Sequence, residues 1–379
     1  MARETVERGI SYDKEKGLYY VLLSSGTNAE GKSSKSYVTT KKITEARKLR
    51  KEHLAKKQRG EVLPASSETL VQHAEDFINF KALNLAESTI YSYRGMLKNH
   101  IKPYFKNKKI QDVQARDLEK YILKTSKNVC TSTVRKHMDL LHAVFEDAKK
   151  KQIVKVNPTD LIDQLKVEKK EKVCYNEAET RKLLESLKGT SIEIPVYLAI
   201  FLGLRRGEVA GLRWEDVDFE NRTITVRNSR VQVGKEIIEK KPKTAKSQRT
   251  LLMPDVLCKI LLQEKNRKPT ARSMAESSQR SKYVATTRKG EPFRPNDMAE
   301  RFNKHLKKHG LKHIRFHDLR HTFASIAANN GVNVYEVSQS LGHANVHVTT
   351  SVYLHEFDPV KSGAVMKVAE SLKLNENEA

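Results

Sequence analysis

The sequence is poor in cysteine. Its 379 residues include only three, Cys130, Cys174 and Cys258. They are odd in number and widely spaced, and none forms a CxxC pair, so a disulfide framework and a cysteine-based metal site are both disfavoured. We expect reduced, buried thiols.

Long apolar stretches are also missing. No run of about 18 apolar residues occurs, as a membrane-spanning helix would need. The first seven residues, MARETVE, lack the apolar core of a secretory signal. The sequence therefore predicts a cytoplasmic protein without a membrane partner.

Positive charge is abundant. The chain has 71 Lys and Arg against 46 Asp and Glu, a formal net charge of +25. Such an excess favours a polyanionic partner, with nucleic acid as the leading candidate. A soluble protein with a solvated basic face is the alternative that composition leaves open.

Residues 1–62 form the first predicted domain. Short β-type stretches at 10–12, 18–23 and 36–40 flank the turn-rich segment 24–28. Ile43–Gln58 has the pattern of one amphipathic helix, with Ala46, Leu49, His53 and Leu54 near the covered stripe. Residues 1–65 hold 15 basic and 8 acidic residues, or +7. A small sheet covered by a helix and suited to phosphate contact is predicted, with a solvated cap as the alternative.

Residues 66–168 are predicted to be wholly helical. Ser88, Asp112 and Thr131 or Ser132 are candidate helix starts, and Pro103 is expected to end a helix. Apolar residues recur at helical spacing as a core stripe in the last of these helices. They are Val134, Met138, Leu141, Phe145 and Ala148.

A third domain is predicted over 173–364, followed by a tail, 365–379. The lysine-rich segment 166–172 has no packing pattern and marks a linker. Asn176 and Glu179 fit a capping box at the start of the new domain, and β-type segments occur at 223–227 and 249–253. Residues 173–379 carry 35 basic and 24 acidic residues, or +11.

Three motifs in this domain suggest chemistry. GLRRGE at 203–208 follows an apolar run, and its glycines indicate a helix junction bearing Arg205. HIRFHDLRHT at 313–322 puts His317, Arg320 and His321 on one helical face. LGH at 341–343 precedes Tyr353 by ten residues. Each motif alone is weak, because a lone tyrosine is usually core and a Gly-His pair usually ends a helix.

A zinc site at His313, His317 and His321 is the competing interpretation of the second motif. No HExxH pattern occurs, no carboxylate completes a ligand set, and Arg320 would repel a cation. We therefore predict no metal site.

Taken in order, these motifs resemble the tyrosine recombinase or phage integrase family over about residues 175–360. The resemblance implies an α+β multidomain chain. It would comprise an AP2-like N-terminal sheet-and-helix domain that binds arm-type DNA, a SAM-like helical core-binding domain, and a mostly helical catalytic domain with a small sheet. The domain order is similar to that of phage and conjugative-transposon integrases.

The resemblance also implies roles for single residues. Arg205 and Arg320 match the two family arginines, His317 the family histidine, His343 the His-or-Trp position, and Tyr353 the nucleophile. Lys243 matches the β-hairpin lysine through its Pro-Lys-Thr context, although Lys240, Lys241 and Lys246 are close by. Leu202 stands where many relatives have threonine.

The implied reaction exchanges phosphodiesters through a 3′-phosphotyrosine and a Holliday junction, without ATP, a cofactor or a catalytic metal. Its partners would be double-stranded recombination sites, three further protomers in a synaptic homotetramer, and accessory bending or directionality proteins. C-terminal segments around 365–374 would be exchanged between protomers. Such a protein would act at the prokaryotic nucleoid.

Other functions fit part of the pattern. A DNA-binding regulator that keeps the fold but not the reaction would not need all six residues to which the resemblance assigns a catalytic role. A type IB topoisomerase shares the tyrosine nucleophile, but the LGH element and the basic N-terminal domain favour strand exchange. A Xer-like resolvase is the nearest alternative, and the N-terminal module favours a mobile-element integrase over it.

Overall fold

The computed structural model describes residues 3–27, 33–59, 63–167, 173–240, 248–267 and 281–342. The chain divides into two compact units, Met1–Lys169 and Lys170–Ala379. The division falls in the predicted lysine-rich linker. Within the described ranges, no helix is long and apolar enough to cross a membrane.

The N-terminal module is a four-stranded antiparallel sheet in the order β1-β2-β3-β4. Its small core joins Ile10 and Val21 of the sheet to Ala46 of the helix that covers one face. Few apolar residues are available here, which explains the size of this core. The elements are β1 Glu4–Glu7, β2 Ile10–Asp13, β3 Leu18–Thr27, β4 Ser33–Thr40 and α1 Ile43–Gln58.

Two expectations for this module are wrong. The segment predicted as a turn from Ser24 onward is strand up to Thr27, because its backbone continues to pair with β4 through an irregularity between Ser24 and Gly26. Leu54, predicted to lie on the covered stripe of α1, is 44% exposed.

Residues 70–161 form the predicted all-helical region around one apolar core. Val134, Leu141, Phe145 and Ala148 are buried there, and Met138 packs against them, so the predicted stripe is confirmed. The elements are α2 Leu70–Lys81, α3 Glu87–Met96, a π-turn Leu97–Ile101, α4 Lys102–Phe105, a 3-10 turn Ile110–Asp112, α5 Ala115–Thr125, α6 Thr131–Lys150 and a 3-10 turn Pro158–Leu161.

Several predicted helix ends in this region are wrong. Pro103 does not stop the helix, because the π-turn before it widens the backbone and α4 continues to Phe105. Ala86 rather than Ser88 precedes α3, and Asp112 closes a 3-10 turn. Cys130 precedes α6. All three cysteines were expected to be buried, but Cys130 is exposed and Cys174 and Cys258 are only partly buried.

The second unit has a larger core. Asn176 caps its first helix as predicted: its side chain accepts from the Glu179 amide at 2.8 Å, and the Glu179 carboxylate accepts from the Asn176 amide at 2.9 Å. The helices are α7 Glu177–Ser186, α8 Glu193–Leu202, α9 Arg206–Gly211, α10 Asp255–Asn266, α11 Pro295–Lys308, α12 Asp318–Asn329 and α13 Val334–Leu341, with a 3-10 turn Trp214–Asp216.

The β segments of this unit form two small sheets. A three-stranded sheet has the order β5-β6-β9, and β7 and β8 pair separately as a hairpin inserted between β6 and β9. The segments predicted at 223–227 and 249–253 correspond to β6 and β9, whereas β5, β7 and β8 were not predicted. The strands are β5 Val217–Asp218, β6 Thr223–Val226, β7 Ser229–Val233, β8 Glu236–Lys240 and β9 Arg249–Leu252.

Candidate active site

Arg205 lies at the helix junction that the sequence predicted. Helix α8 ends at Leu202, Gly203 adopts the left-handed conformation with φ of 60°, and Arg205 directly precedes α9. The turn favours glycine because other residues are strained at this φ, and a Cβ on residue 203 would lie 2.7 Å from Cδ2 of Leu341, so Leu341 would have to shift.

The Arg205 guanidinium is held by one carboxylate and one carbonyl. Nη1 donates to Oε1 of Glu208 at 2.8 Å, and Nη2 donates to the Gly342 carbonyl at 3.1 Å. The side chain remains 39% exposed. Because a guanidinium has five N–H donors, Arg205 keeps donors that can face an anion in solvent.

Arg320 is almost fully buried beside this junction. It lies on α12 and is 3% exposed. Its Nη1 donates to the Gly203 carbonyl and its Nη2 to the Leu341 carbonyl, both at 2.7 Å. The ends of α8 and α13 therefore fix the direction of this guanidinium.

His317 directly precedes α12, at the edge of the same cluster. Desolvation by the surrounding protein and the charge of Arg320 hold the pKa of His317 below its usual value, and Arg205 contributes in the same direction. The imidazole is therefore neutral at pH 7 and can accept a proton. Its ring also makes an edge contact with His321, with centroids 5.1 Å apart.

The end of α13 leads into the LGH motif. Gly342 caps this helix in the left-handed conformation, with φ of 64°, and its carbonyl accepts from Arg205. The structure thus brings together Arg205, which precedes α9, and His317 and Arg320, which lie at the start of α12. His343, Lys243 and Tyr353 lie outside the described residues, so their roles stay predictions.

Two residues of this cluster had no predicted role. Glu208 is 7% exposed, and each of its carboxylate oxygens accepts from both Arg205 and Arg249. Burial opposes ionisation, but hydrogen bonds and charge from Arg249 and Arg205 hold the pKa of Glu208 below its usual value. Glu208 belongs to the GLRRGE motif, whereas Arg249 had no signal beyond its place at the start of the predicted strand 249–253.

The three histidines of the zinc interpretation are not arranged as that interpretation assumed. His313 precedes α12 and lies outside any helix, so the three histidines do not share a helical face. Among the described residues, one group of potential metal ligands occurs, His142, Glu146 and Asp160, and it lies in the first unit.

The cluster has the chemistry of a phosphate site. Arginine binds phosphate oxygens through planar, permanently charged N–H donors, and such donors stabilise charge that builds up during phosphoryl transfer. A neutral imidazole beside them can take a proton from a hydroxyl nucleophile.

Family models match both units. The phage integrase family matches residues 173–359, and the phage integrase N-terminal SAM-like domain matches residues 69–125. Together they cover most of the chain beyond its N-terminal module, including all three motifs.

Curated relatives carry the same family names. A tyrosine recombinase XerC-like protein of Caldanaerobacter subterraneus is 28% identical over 392 residues, covering 96% of this chain and 98% of its own length. The ICEBs1 integrase of Bacillus subtilis is 25% identical, covering 69% of this chain and 72% of its own length. The transposase from transposon Tn916 of Enterococcus faecalis is 28% identical, covering 65% of this chain and 64% of its own length.

Solved structures share the fold. The Tn1549 transposon integrase in complex with a circular intermediate DNA superposes with a TM-score of 0.68 at 23% identity, covering 81% of this chain and all of that one. A lambda integrase dimer bound to a core site superposes with a TM-score of 0.59 at 13% identity, covering 94% of this chain and 97% of that one. The chain belongs to the phage integrase family of tyrosine recombinases, enzymes that cleave DNA strands and join them to new partners.

Proposed function

We propose that this chain is the integrase of a mobile genetic element, and that Tyr353 is its nucleophile. The observation that carries the proposal is the convergence of Arg205, His317 and Arg320 around the end of α13, immediately before His343. Relatives named as the ICEBs1 integrase and as the transposase from transposon Tn916 support a mobile element as the substrate.

In the proposed reaction, the Tyr353 oxygen attacks the scissile phosphorus and the bond from phosphorus to the 5′ oxygen breaks. Arg205 and Arg320 stabilise the added negative charge, and His343 donates a hydrogen bond to a phosphate oxygen. The phenol has an ordinary pKa of about 10, so its proton needs an acceptor, which neutral His317 provides. Lys243 gives a proton to the leaving 5′ oxygen.

A 5′-hydroxyl from the partner duplex then attacks the phosphotyrosine, which restores a phosphodiester and releases Tyr353. One round of these exchanges gives a Holliday junction, and a second round resolves it. Each step replaces one phosphate ester with another, so the scheme needs neither ATP nor a catalytic metal.

The proposal divides the chain into an arm-binding domain (1–62), a core-binding domain (66–168), a catalytic domain (173–364) and a tail (365–379). The sheet face opposite α1 supports DNA binding by the first domain. The Arg3 guanidinium lies 3.7 Å from the centre of the Tyr20 ring, and Tyr37 beside it is 52% exposed. Cationic and aromatic groups of this kind suit contact with nucleic acid.

The proposed assembly is a homotetramer that holds two duplexes at the nucleoid, assisted by DNA-bending or directionality proteins. A Xer-like resolvase is the second candidate, because the XerC-like relative aligns over 96% of this chain and so includes its N-terminal part. Integration of a circular donor that carries the element's joined ends would favour the integrase. Resolution restricted to chromosome dimers would favour the resolvase.

The deciding experiment traps the covalent intermediate. A nicked duplex that carries the element's end junction loses a short 5′ fragment after cleavage, so the enzyme cannot rejoin the strand. We expect an adduct at Tyr353, found by peptide mapping, and no adduct with Tyr353→Phe. Tyr335→Phe, at an exposed tyrosine of α13, serves as the control and should still form the adduct.

An adduct that survives Tyr353→Phe would refute the assignment of the nucleophile. Relaxation of a supercoiled plasmid without any recombination site, at a rate equal to that of a plasmid with the site, would favour a type IB topoisomerase.

A further inference from the structure

Arg249 has three hydrogen bonds inside the catalytic unit. Its Nη2 and Nη1 donate to the two oxygens of Glu208, at 2.9 and 3.3 Å, and its Nε donates to the Ser340 carbonyl at 2.7 Å. The side chain is 8% exposed. One arginine at the start of β9 therefore joins α9 to the last turn of α13.

The same Glu208 carboxylate also orients Arg205. Oε1 accepts from Nη1 of Arg205 at 2.8 Å, and Oε2 accepts from the Arg205 backbone amide at 2.9 Å. Four donors thus share one carboxylate, two from each arginine. Because the carboxylate cannot rotate without breaking several of these bonds, Arg249 restricts the position of Arg205.

Arg249 also determines the charge of the cluster. Arg205, Glu208 and Arg249 together carry one net positive charge, whereas Arg205 and Glu208 alone would carry none. Without Arg249 the buried carboxylate would offset the charge that Arg205 presents to a phosphate, and electrostatic attraction in a poorly hydrated site would weaken.

A third contact joins Arg249 to the LGH motif. A Cβ on Gly342 would lie 2.9 Å from Nη1 of Arg249, so the guanidinium packs directly against the residue before His343. The bond to the Ser340 carbonyl holds the same turn.

We infer that Arg249 is a positioning residue for strand cleavage, which acts through Glu208 on Arg205 and through Ser340 on the end of α13. This inference rests on the proposed function, since it takes Arg205 as a ligand of the scissile phosphate. Arg249 itself need not touch the DNA.

The test compares adduct formation on two nicked substrates. One carries the ordinary phosphodiester at the cleavage site, and the other carries a methylphosphonate, which lacks one negative charge. A neutral phosphorus centre depends less on a cationic ligand, so a defect that acts through Arg205 should be smaller on it. A general loss of folded protein would lower both rates equally.

Arg249→Met keeps the length of the side chain and removes its charge and its donors. We expect adduct formation on the phosphodiester to fall about 10- to 100-fold, the scale of a slightly misplaced catalytic group. The ratio of the methylphosphonate rate to the phosphodiester rate should rise. Arg249→Lys keeps the charge but cannot donate two hydrogen bonds to the carboxylate in the same geometry. Its rate of adduct formation should lie between those of Arg249→Met and the unmodified chain.

The matched control is Arg222→Met, which removes an exposed arginine paired with Asp255 at 2.6 Å and should leave both rates unchanged. The inference is overturned if Arg249→Met cleaves the phosphodiester within about twofold of the unmodified chain, the ordinary scatter of such rates. It is equally overturned if Arg249→Met and Arg249→Lys lower both rates by the same factor. If the unmodified chain itself forms no adduct, the proposed function fails, and the inference with it.

Discussion

At the scale of single residues, the site depends on backbone carbonyls at two helix ends. Arg320 is held by the carbonyls of Gly203 and Leu341, and Arg205 by that of Gly342. Helix C-termini have carbonyls without partners in the helix and a partial negative charge, so they favour cationic groups. The arginines are thereby oriented before any DNA binds.

Gly203→Ala tests this arrangement. Alanine would be strained at φ of 60° and would lie against Leu341. We expect a loss of about 2 kcal/mol in the free energy of unfolding, together with a strong loss of adduct, because the anchor of Arg320 must move. Urea unfolding and the nicked-substrate assay measure the two effects.

Gly189→Ala is the matched control, since Gly189 has φ of 70° but no atom near its missing Cβ. Gly189→Ala should lower the free energy of unfolding only by the backbone strain and leave adduct formation unchanged. Equal effects of the two substitutions on cleavage would exclude the proposed anchoring.

The proposed role of His317 as proton acceptor predicts that cleavage depends on pH. The pKa of this histidine is lowered by desolvation and by neighbouring arginines, so the fraction of neutral imidazole decreases only as the pH falls below the usual histidine range. We expect the single-turnover rate of adduct formation to change little from pH 8 to 7 through this group and to decrease in more acidic solution. A rate that rises on acidification would mean that His317 acts as a cation.

At the scale of elements, the helical region of the first unit combines irregular geometry with buried polar groups. The helical path from α3 to α4 passes through a π-turn before Pro103. In α6, His137 is fully buried, and its Nδ1 lies 2.9 Å from the Tyr121 hydroxyl. Desolvation, with the nearby His100, lowers the pKa of His137 to about 4.

This histidine should make the region sensitive to acid. The unfolded chain binds a proton at the ordinary histidine pKa of about 6.5, whereas the folded chain resists protonation until about 4. Stability is therefore fully present above pH 6.5 and decreases as the pH falls toward 4, by roughly 2 to 3 kcal/mol.

Amide hydrogen exchange of α6 in the full chain measures this loss. His137→Phe should flatten the acid dependence, at a cost of about 1 kcal/mol for the hydrogen bond to Tyr121. His142→Gln, at an exposed histidine of the same helix, should leave the dependence intact. An unchanged acid profile in His137→Phe would exclude His137 as its source.

At the scale of the whole molecule, positive charge is spread along the chain. The N-terminal region, the helical region and the catalytic region carry +7, +7 and +11. A molecule with basic groups in every part can neutralise phosphates along an extended duplex, independently of base sequence.

Binding to duplex DNA without a recombination site should therefore depend strongly on salt. We expect affinity to fall by about 1,000-fold between 50 and 200 mM salt, as for proteins that make at least six phosphate contacts. Fluorescence anisotropy with a labelled duplex measures this slope. A slope equivalent to one or two phosphate contacts would show that most of the charge faces away from DNA.

The sequence alone determined the elements with strong local signals and the order of the motifs. The capping box at Asn176, the core stripe of α6 and the junction at Gly203 were predicted because each depends on residues a few positions apart. Helix ends at Ser88 and Pro103 were wrong, since a helix can begin at a residue next to the predicted start and a π-turn accommodates proline.

Only the tertiary structure showed that Arg249 shares Glu208 with Arg205 and holds the end of α13. Those contacts join residues 41 and 91 positions apart. No local spacing specifies such pairs, because they form only when separate helices and strands pack together.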